Sequence, residues 1–293
     1  LKAKYPQFKS KHGKQASYHC VGVSVLDEAI KLPKMQPIKA VIHREITGTI
    51  KSITVSRSAC GQYYASILAD DGLALPEPIK TIDSVVGIDL GLTHFAIRSD
   101  GIKIANPRFV ARAQANLRRK QRQLSRKQKG SRNRAKARLL VAKCHEKTAN
   151  ARADFQHQLS RTLIDENQAV IVETLKSANM MKNRHLAKAI GDAGWHGFVV
   201  KLGYKAKAEG KHLVKIDQWV ASSKTCHHCK HKLDNLPLNI RSWCCPKCQT
   251  IHDRDTNAAI NIENEGILKL KAAGHVVTAC GGLRKSPIVG VAA

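Results

Sequence analysis

Acidic residues are scarce in this 293-residue chain: 22 Asp plus Glu stand against 50 Lys plus Arg, a formal net charge of +28. That deficit argues against an ordinary metabolic enzyme and for a polyanionic partner, either nucleic acid or an anionic membrane. Long apolar runs are lacking as well. No segment approaches the roughly 20 apolar residues a spanning helix requires, and no signal-peptide-like run opens the sequence. A soluble, cytoplasmic protein acting on nucleic acid is therefore expected, with no membrane partner. At 43% hydrophobic the chain can still bury a sizeable core, divided into two or three lobes. It begins at Leu1 within what reads as mid-domain material, LKAKYPQFKSKHGKQ, so a missing N-terminus is expected.

The cysteine pattern suits a tetrahedral metal site far better than a disulfide framework. Of nine cysteines, four form two CxxC pairs, Cys226 with Cys229 and Cys245 with Cys248, with fifteen residues between the pairs. Each CxxC turn presents two thiolates to one ion, so the two turns supply the four ligands of a closed, structural zinc site in a reducing compartment. Cys244 would break the two-residue spacing, which Cys245 restores. His227 and His228, inside the first turn, read as solvated residues and not as ligands. Cys20, Cys60, Cys144 and Cys280 stand alone as small hydrophobes. Trp195, Trp219 and Trp243 read as packing residues.

Residues 17 to 70 alternate as strands do, in SYHCVGVSVL, TGTIKSITVSR and YYASIL, and DDGLALPEPIKTID reads as a linker to a new domain near residue 80. VVGIDLG then has the β-branched, continuously apolar character of a central strand covered on both faces, except for Asp89. A carboxylate among aliphatic neighbours is costly unless a cation or hydrogen bonds compensate it. AVIVETL repeats the pattern with Glu173, for which a structural ion pair is the plain alternative. In HDRDTNAAINIENEG, Ala258, Ala259 and Ile262 follow Asp255 by three, four and seven residues, so Asp255 begins the buried face of a helix. Asp253 lacks that register, and an N-cap is the plain alternative for either aspartate. Three convergent acids suit two divalent cations about 4 Å apart, as in phosphodiester hydrolysis, and hard oxygen donors favour Mg²⁺ or Mn²⁺.

Between these motifs, Pro107 to about Leu163 reads as a long helical hairpin broken at Gly130 and Ser131, and residues 186 to 208 read as helical, with Trp195 and Phe198 on the apolar side. Within the hairpin LRRKQRQLSRKQKGSRNRAKAR holds eleven Lys or Arg and no acid. One sign throughout implies phosphate contacts, for which Arg118, Arg119, Lys120, Arg122, Arg126, Lys127, Lys129, Arg132 and Arg134 are the candidates. A membrane-surface helix would need an apolar face with Trp or Phe, which this segment lacks.

GIDLGLTHFAI, the basic stretch, VETL, SSKTCHHC, WCCPKC and HDRDTNAAINI, in this order, resemble the transposon-encoded TnpB (OrfB-type) proteins, relatives of the type V CRISPR effectors. The resemblance spans residues 1 to about 270. It implies an α/β chain: a partial β-barrel-like, wedge-like module at 1–80 and an RNase H-like (RuvC) nuclease over 81–220 and 251–270. The nuclease would carry the basic helical hairpin, at about 107–163, and a zinc knuckle at 221–250, with a disordered tail at 271–293. It further implies catalytic Asp89, Glu173 and Asp255 binding magnesium or manganese, zinc on Cys226, Cys229, Cys245 and Cys248, a guide RNA from the transposon end, and cleavage of target DNA in a prokaryotic cytoplasm, in association with the nucleoid. Lys230 and Gln249 stand where the family has Gly after each CxxC, and Thr174 follows the catalytic Glu. The family's stretch before PQFKSKH is absent from the sequence, so the alternative expectation is a truncated copy that binds nucleic acid without productive cleavage.

Overall fold

The computed structural model describes residues 16–279; residues 1–15, with the PQFKSKH stretch, and 280–293, with most of the expected tail, lie outside them. The described residues divide into two compact units. One holds residues up to Ala74 together with Gln114–Lys147, and the other holds Leu75–Ala113 and the chain from Thr148 onward.

In the first unit, strands β1 (Ser17–Cys20), β2 (Ser24–Leu26), β3 (Ala29–Lys31), β4 (Ile38–Lys39), β5 (Thr49–Arg57) and β6 (Tyr63–Asp70) form two antiparallel sheets, ordered β1-β5-β6 and β2-β3-β4. Between β5 and β6 the chain reverses at Gly61, whose φ of 81° suits a residue without Cβ, while the Ser58 hydroxyl accepts the Cys60 and Gln62 N–H groups. Cys20, Ile30, Leu32 and Ile53 form its small core.

The second unit is built on one mixed sheet. After β7 (Thr81–Ile82) come β8 (Val85–Leu90), β9 (His94–Arg98) and β10 (Lys103–Ala105), then helices α1 (Phe109–Ser125) and α2 (Arg132–Glu166), which continue across both units. Strand β11 (Ala169–Val172), α3 (Ser177–Met180), α4 (Ala187–Ala193), α5 (Trp195–Ala208) and β12 (His212–Lys215) follow. The chain ends in β13 (Ser242–Cys244), β14 (Ile251–Asp253), α6 (Arg254–Ala272) and β15 (Val276–Val277). The sheet order is β10-β9-β8-β11-β12, antiparallel from β10 to β8 and parallel from β8 to β12. No described helix is long and apolar enough to cross a membrane.

Side chains alternate across a strand, and the two faces of β8 sort accordingly. Val86, Ile88 and Leu90 pack with Val170, Val172, Leu163, Ile164, Phe198 and Leu202 on the side of α2 and α5. Val85, Ala169 and Ile171 pack with Ile262, Ile267 and Leu270 of α6 on the other side. Gly87 falls on this second face, where a Cβ would meet Ala259 O at 2.2 Å, and a Cβ on Gly266 would meet Ile171 at 2.2 Å. Helix α6 thus lies directly on β8 and β11 because two positions carry no side chain.

The helical reading of residues 186 to 208 holds as two helices, Gly194 with its φ of 63° ending α4 and beginning α5. Three expectations are corrected. Residues 75–80 are not a free linker, because Ile79 N–H donates to Gly210 O at 2.9 Å and His212 Nε2 lies 2.7 Å from Ile79 O. Nor are residues 271–279 disordered: α6 runs to Ala272 and Val276–Val277 pairs in parallel with Thr81–Ile82, with Val277 and Ala279 packed on the α6-side core while Val276 is exposed. Trp195 and Trp243 are buried, but Trp219 is 83% exposed.

Candidate active site and metal centre

Register brings the acids together. Ile171 lies beside Gly87 and Val172 beside Ile88, so one step further Glu173 lies beside Asp89 on the adjacent parallel strand, both on the α6 face. Strands this close stand about 4.8 Å apart. Asp253 caps α6, its Oδ1 accepting Thr256 N–H at 2.9 Å, which sets Asp255 in the first helical turn above the two strand ends. The cap is itself held by Lys103, whose Nζ lies 2.7 Å from Asp253 Oδ2.

Electrostatics record the convergence. Burial, then the Glu173 and Asp255 charges, push Asp89 up to about 8 against the opposing pull of Arg254, and a hydrogen bond with Glu173 raises it further. Glu173 is also raised by burial, although it accepts Leu90 N–H at 3.4 Å and the Asp89 hydrogen bond. Arg241 Nη1 reaches Asp255 Oδ1 at 3.3 Å. The three half-buried carboxyls offer only hard oxygen donors, the chemistry that suits magnesium or manganese, whereas among the described residues the group that already lies close enough to hold an ion is the four cysteines.

The four cysteine sulfurs lie within 4.8 Å of one another, an arrangement compatible with a zinc knuckle. Each CxxC turn closes on itself: Lys230 N–H donates to Cys226 O at 2.9 Å and Gln249 N–H to Cys245 O at 2.8 Å. Lys230 and Gln249 have φ of 60° and 59°, the left-handed region that glycine enters without strain. Burial raises the Cys226 thiol. Cys229 is pushed up to about 12, its bond from the His231 backbone outweighed by burial and the neighbouring sulfurs, while the Thr250 hydroxyl and backbone hold Cys248 down at about 5. Cys244 is exposed, its Sγ turned toward Gln249 O at 3.4 Å.

The expected solvation of the first-turn histidines holds for exposed His228 and fails for His227, which is half-buried, because Asn257 Oδ1 accepts both its N–H at 3.0 Å and its ring nitrogen at 3.1 Å. Of the basic candidates, Arg118, Arg119, Arg122, Arg126, Lys127, Lys129 and Arg132 are exposed and Lys120 is half-buried. Arg134 instead serves the turn between α1 and α2, its guanidinium donating to Leu124 O at 3.0 Å and Lys127 O at 2.9 Å. Its positive charge covers the C-terminal carbonyls of α1.

Sequence reasoning missed the residues that join the knuckle to the acids. Asn257 and Asn261, one turn apart on α6, both donate to Ser222 O, at 3.3 and 2.9 Å, and to Thr225 O, at 2.8 and 2.6 Å, just before Cys226. Their i,i+4 spacing was the available signal. Arg254 is buried and donates to Pro237 O at 2.6 Å. Nothing in the sequence pointed to Arg241.

Comparison with known proteins agrees with this architecture. The family described as "Probable transposase" (OrfB_IS605) matches residues 67–184, and the Cas12f1-like TNB domain matches residues 195–262. The chain is 40% identical over 289 residues to a "Putative RNA-guided DNA endonuclease" of Streptomyces pristinaespiralis, covering 97% of this chain and 69% of that protein. It is 30% identical to the "Putative RNA-guided DNA endonuclease InsQ" of Escherichia coli (strain K12), covering 97% and 72%. Among solved structures, the Cas12f1-sgRNA-target DNA complex contains a similar fold, with a TM-score of 0.51 at 20% identity over 73% of this chain. The chain spans 45% of the length of that Cas12f1 chain.

Proposed function

The chain belongs to the TnpB family of transposon-encoded proteins, and on that premise we propose that it is an RNA-guided, divalent-metal-dependent DNA endonuclease. The observation that carries the proposal is the meeting of Asp89, Glu173 and Asp255 on one face of the sheet, with Asp89 driven up to about 8 by burial and by its two acidic neighbours. Sheet order β10-β9-β8-β11-β12, with its parallel half holding two of the acids at their carboxyl ends, supports an RNase H-like nuclease centre.

Asp89, Glu173 and Asp255 would hold Mg²⁺ or Mn²⁺, which when bound supplies activation of water and stabilisation of the leaving oxygen. Glu173 is aimed by Leu90 N–H and by register, and Asp255 by the Asp253 cap, so each donor rests on a rigid element. Arg241 offsets the Asp255 charge and places a guanidinium at the edge of the same site, where a phosphate must lie. Cys226, Cys229, Cys245 and Cys248 would hold zinc that folds the knuckle and so sets Arg241. The exposed arginines and lysines of α1 and its following turn would hold nucleic-acid backbone, and sequence would be read by RNA–DNA pairing.

Incubation of a labelled plasmid with the chain co-expressed with its transposon-end RNA tests the proposal. Cutting that requires Mg²⁺, RNA and Asp89 supports it. Cutting that persists in EDTA or in Asp89→Ala refutes it, and tight RNA binding with no cutting refutes the nuclease activity and leaves a binding protein.

A further inference from the structure

Of the three tryptophans, Trp195 is 3% exposed, Trp243 7% and Trp219 83%. An indole left in water forgoes a large share of the apolar burial the fold could use, which calls for a reason. A loose loop is not that reason. Ile216, before it, is buried, donates to Val172 O at 3.0 Å and accepts the Thr174 hydroxyl at 2.6 Å. Asp217 Oδ1 accepts Trp219 N–H at 2.9 Å, and Val220 N–H returns to Asp217 O at 3.3 Å. Val220 packs against the α6-side core, and Ser222 O is clasped by Asn257 and Asn261. Anchors on both sides hold a short turn that presents the indole outward.

The position is specific. The Thr174–Ile216 bond ties this turn to the residue next to Glu173, and three residues can carry Trp219 no more than about 11 Å from Ile216. The indole therefore stands at the carboxyl end of the parallel strands, the same end as Asp89 and Glu173. In a chain of net charge +28 an exposed aromatic face beside a phosphodiester-cleaving centre suits one occupant well, an unpaired nucleobase.

We propose that Trp219 is a stacking platform that positions a base of single-stranded DNA beside the carboxylate site. The proposal rests on the nuclease reading for its substrate, and its role is positioning, since the indole offers no group to the reacting atoms. Stacking needs a free base face, so the platform distinguishes an unwound strand from duplex.

Two measurements test it separately from the chemistry. In the full-length Asp89→Asn chain, titration with a 15-nucleotide oligothymidylate should quench the solvent-exposed tryptophan emission and reduce its quenching by acrylamide. Both effects should vanish in Asp89→Asn carrying Trp219→Phe. In the RNA-loaded active chain, Trp219→Ala should raise KM for DNA by roughly 5- to 100-fold with little change in kcat, and Trp219→Phe should restore most of the loss. Unchanged emission at saturating oligonucleotide, equal quenching by a duplex, or an unaltered KM in Trp219→Ala overturns the proposal. Quenching by oligouridylate but not oligothymidylate also overturns it, in favour of an RNA occupant. Quenching without any Mg²⁺-dependent cutting by the active chain would leave the platform standing and remove the nuclease reading, whereas cutting without quenching would do the reverse.

Discussion

The carboxylate site and the cysteine knuckle both gather groups that repel one another when ionised, but they differ in what holds them in place. Asp89, Glu173 and Asp255 are carried by β8, the end of β11 and the capped start of α6, elements locked by an extensive apolar core on both faces of the sheet. The cysteines are carried by two tight turns, around a core of only Leu236, Trp243 and the sulfurs themselves, with Leu233 at its edge. The acids are thus positioned by the fold, and a cation bound there would be free to serve chemistry. The thiols would be positioned by the cation, which must serve the fold.

Loss of a knuckle ligand should give the largest effect and break that comparison most directly. Structural zinc contributes apparent binding energies of about 10–16 kcal/mol in small metal-folded domains. Cys226→Ser should lose the zinc found by elemental analysis, and amides of residues 221–253 should lose hydrogen-exchange protection while β8 and β11 keep theirs. Retained metal, or loss of protection spreading to the sheet, would mean that the two regions are not separate in this way.

Asp89→Ala should lower cleavage by about 10³-fold or more, yet shift the unfolding midpoint little and leave the zinc content at the wild-type value. A variant that unfolds would make Asp89 a structural residue.

A third effect is smaller and depends on pH. Because Asp89 binds its proton more tightly in the folded chain, at about 8 against an ordinary 3.8, the stability it contributes to the metal-free protein is fully present below about pH 4. That contribution should fade as the pH rises through about 8. Thermal unfolding in EDTA across this range should show the decline, Asp89→Asn should flatten it, and added Mg²⁺ should oppose it. A midpoint that instead rises with pH would contradict the burial of the acids.

The smallest change separates the knuckle's turns from its ligands. Lys230 and Gln249 sit at positive φ, a conformation that costs an L-residue roughly 1–2 kcal/mol. After allowance for the greater freedom of unfolded glycine, Lys230→Gly and Gln249→Gly should each stabilise the knuckle by about 0.5–1 kcal/mol. Chelator titrations should read this as slower zinc loss, with cleavage unchanged. Faster loss would mean that the side chains themselves support the turns.

Much of the candidate site was legible in the chain because costly chemistry stands out locally. A carboxylate inside VVGIDL, another after AVIV and two CxxC pairs each break the rule for their surroundings, whatever lies around them. The departures at Lys230 and Gln249 were legible only against the family's pattern, which has Gly after each CxxC, and their positive φ is set by the turns themselves. Register singled out Asp255 over Asp253, but capping was open to both because it uses the same side chain, and the Thr256 N–H bond assigns the cap to Asp253.

The sequence by itself determined which groups are chemically unusual and the period that puts them on one face: Val85, Gly87 and Asp89 alternate with Val86, Ile88 and Leu90 because a strand repeats every two residues. Only the tertiary structure decided what those groups meet. That Arg241 reaches Asp255, that Asn257 and Asn261 clasp the strand into the knuckle, and that Trp219 faces solvent while Trp195 and Trp243 do not are all contacts or exposures set by chain segments brought together from a distance. No local pattern encodes them, because burial and pairing belong to the packed chain and not to the residue.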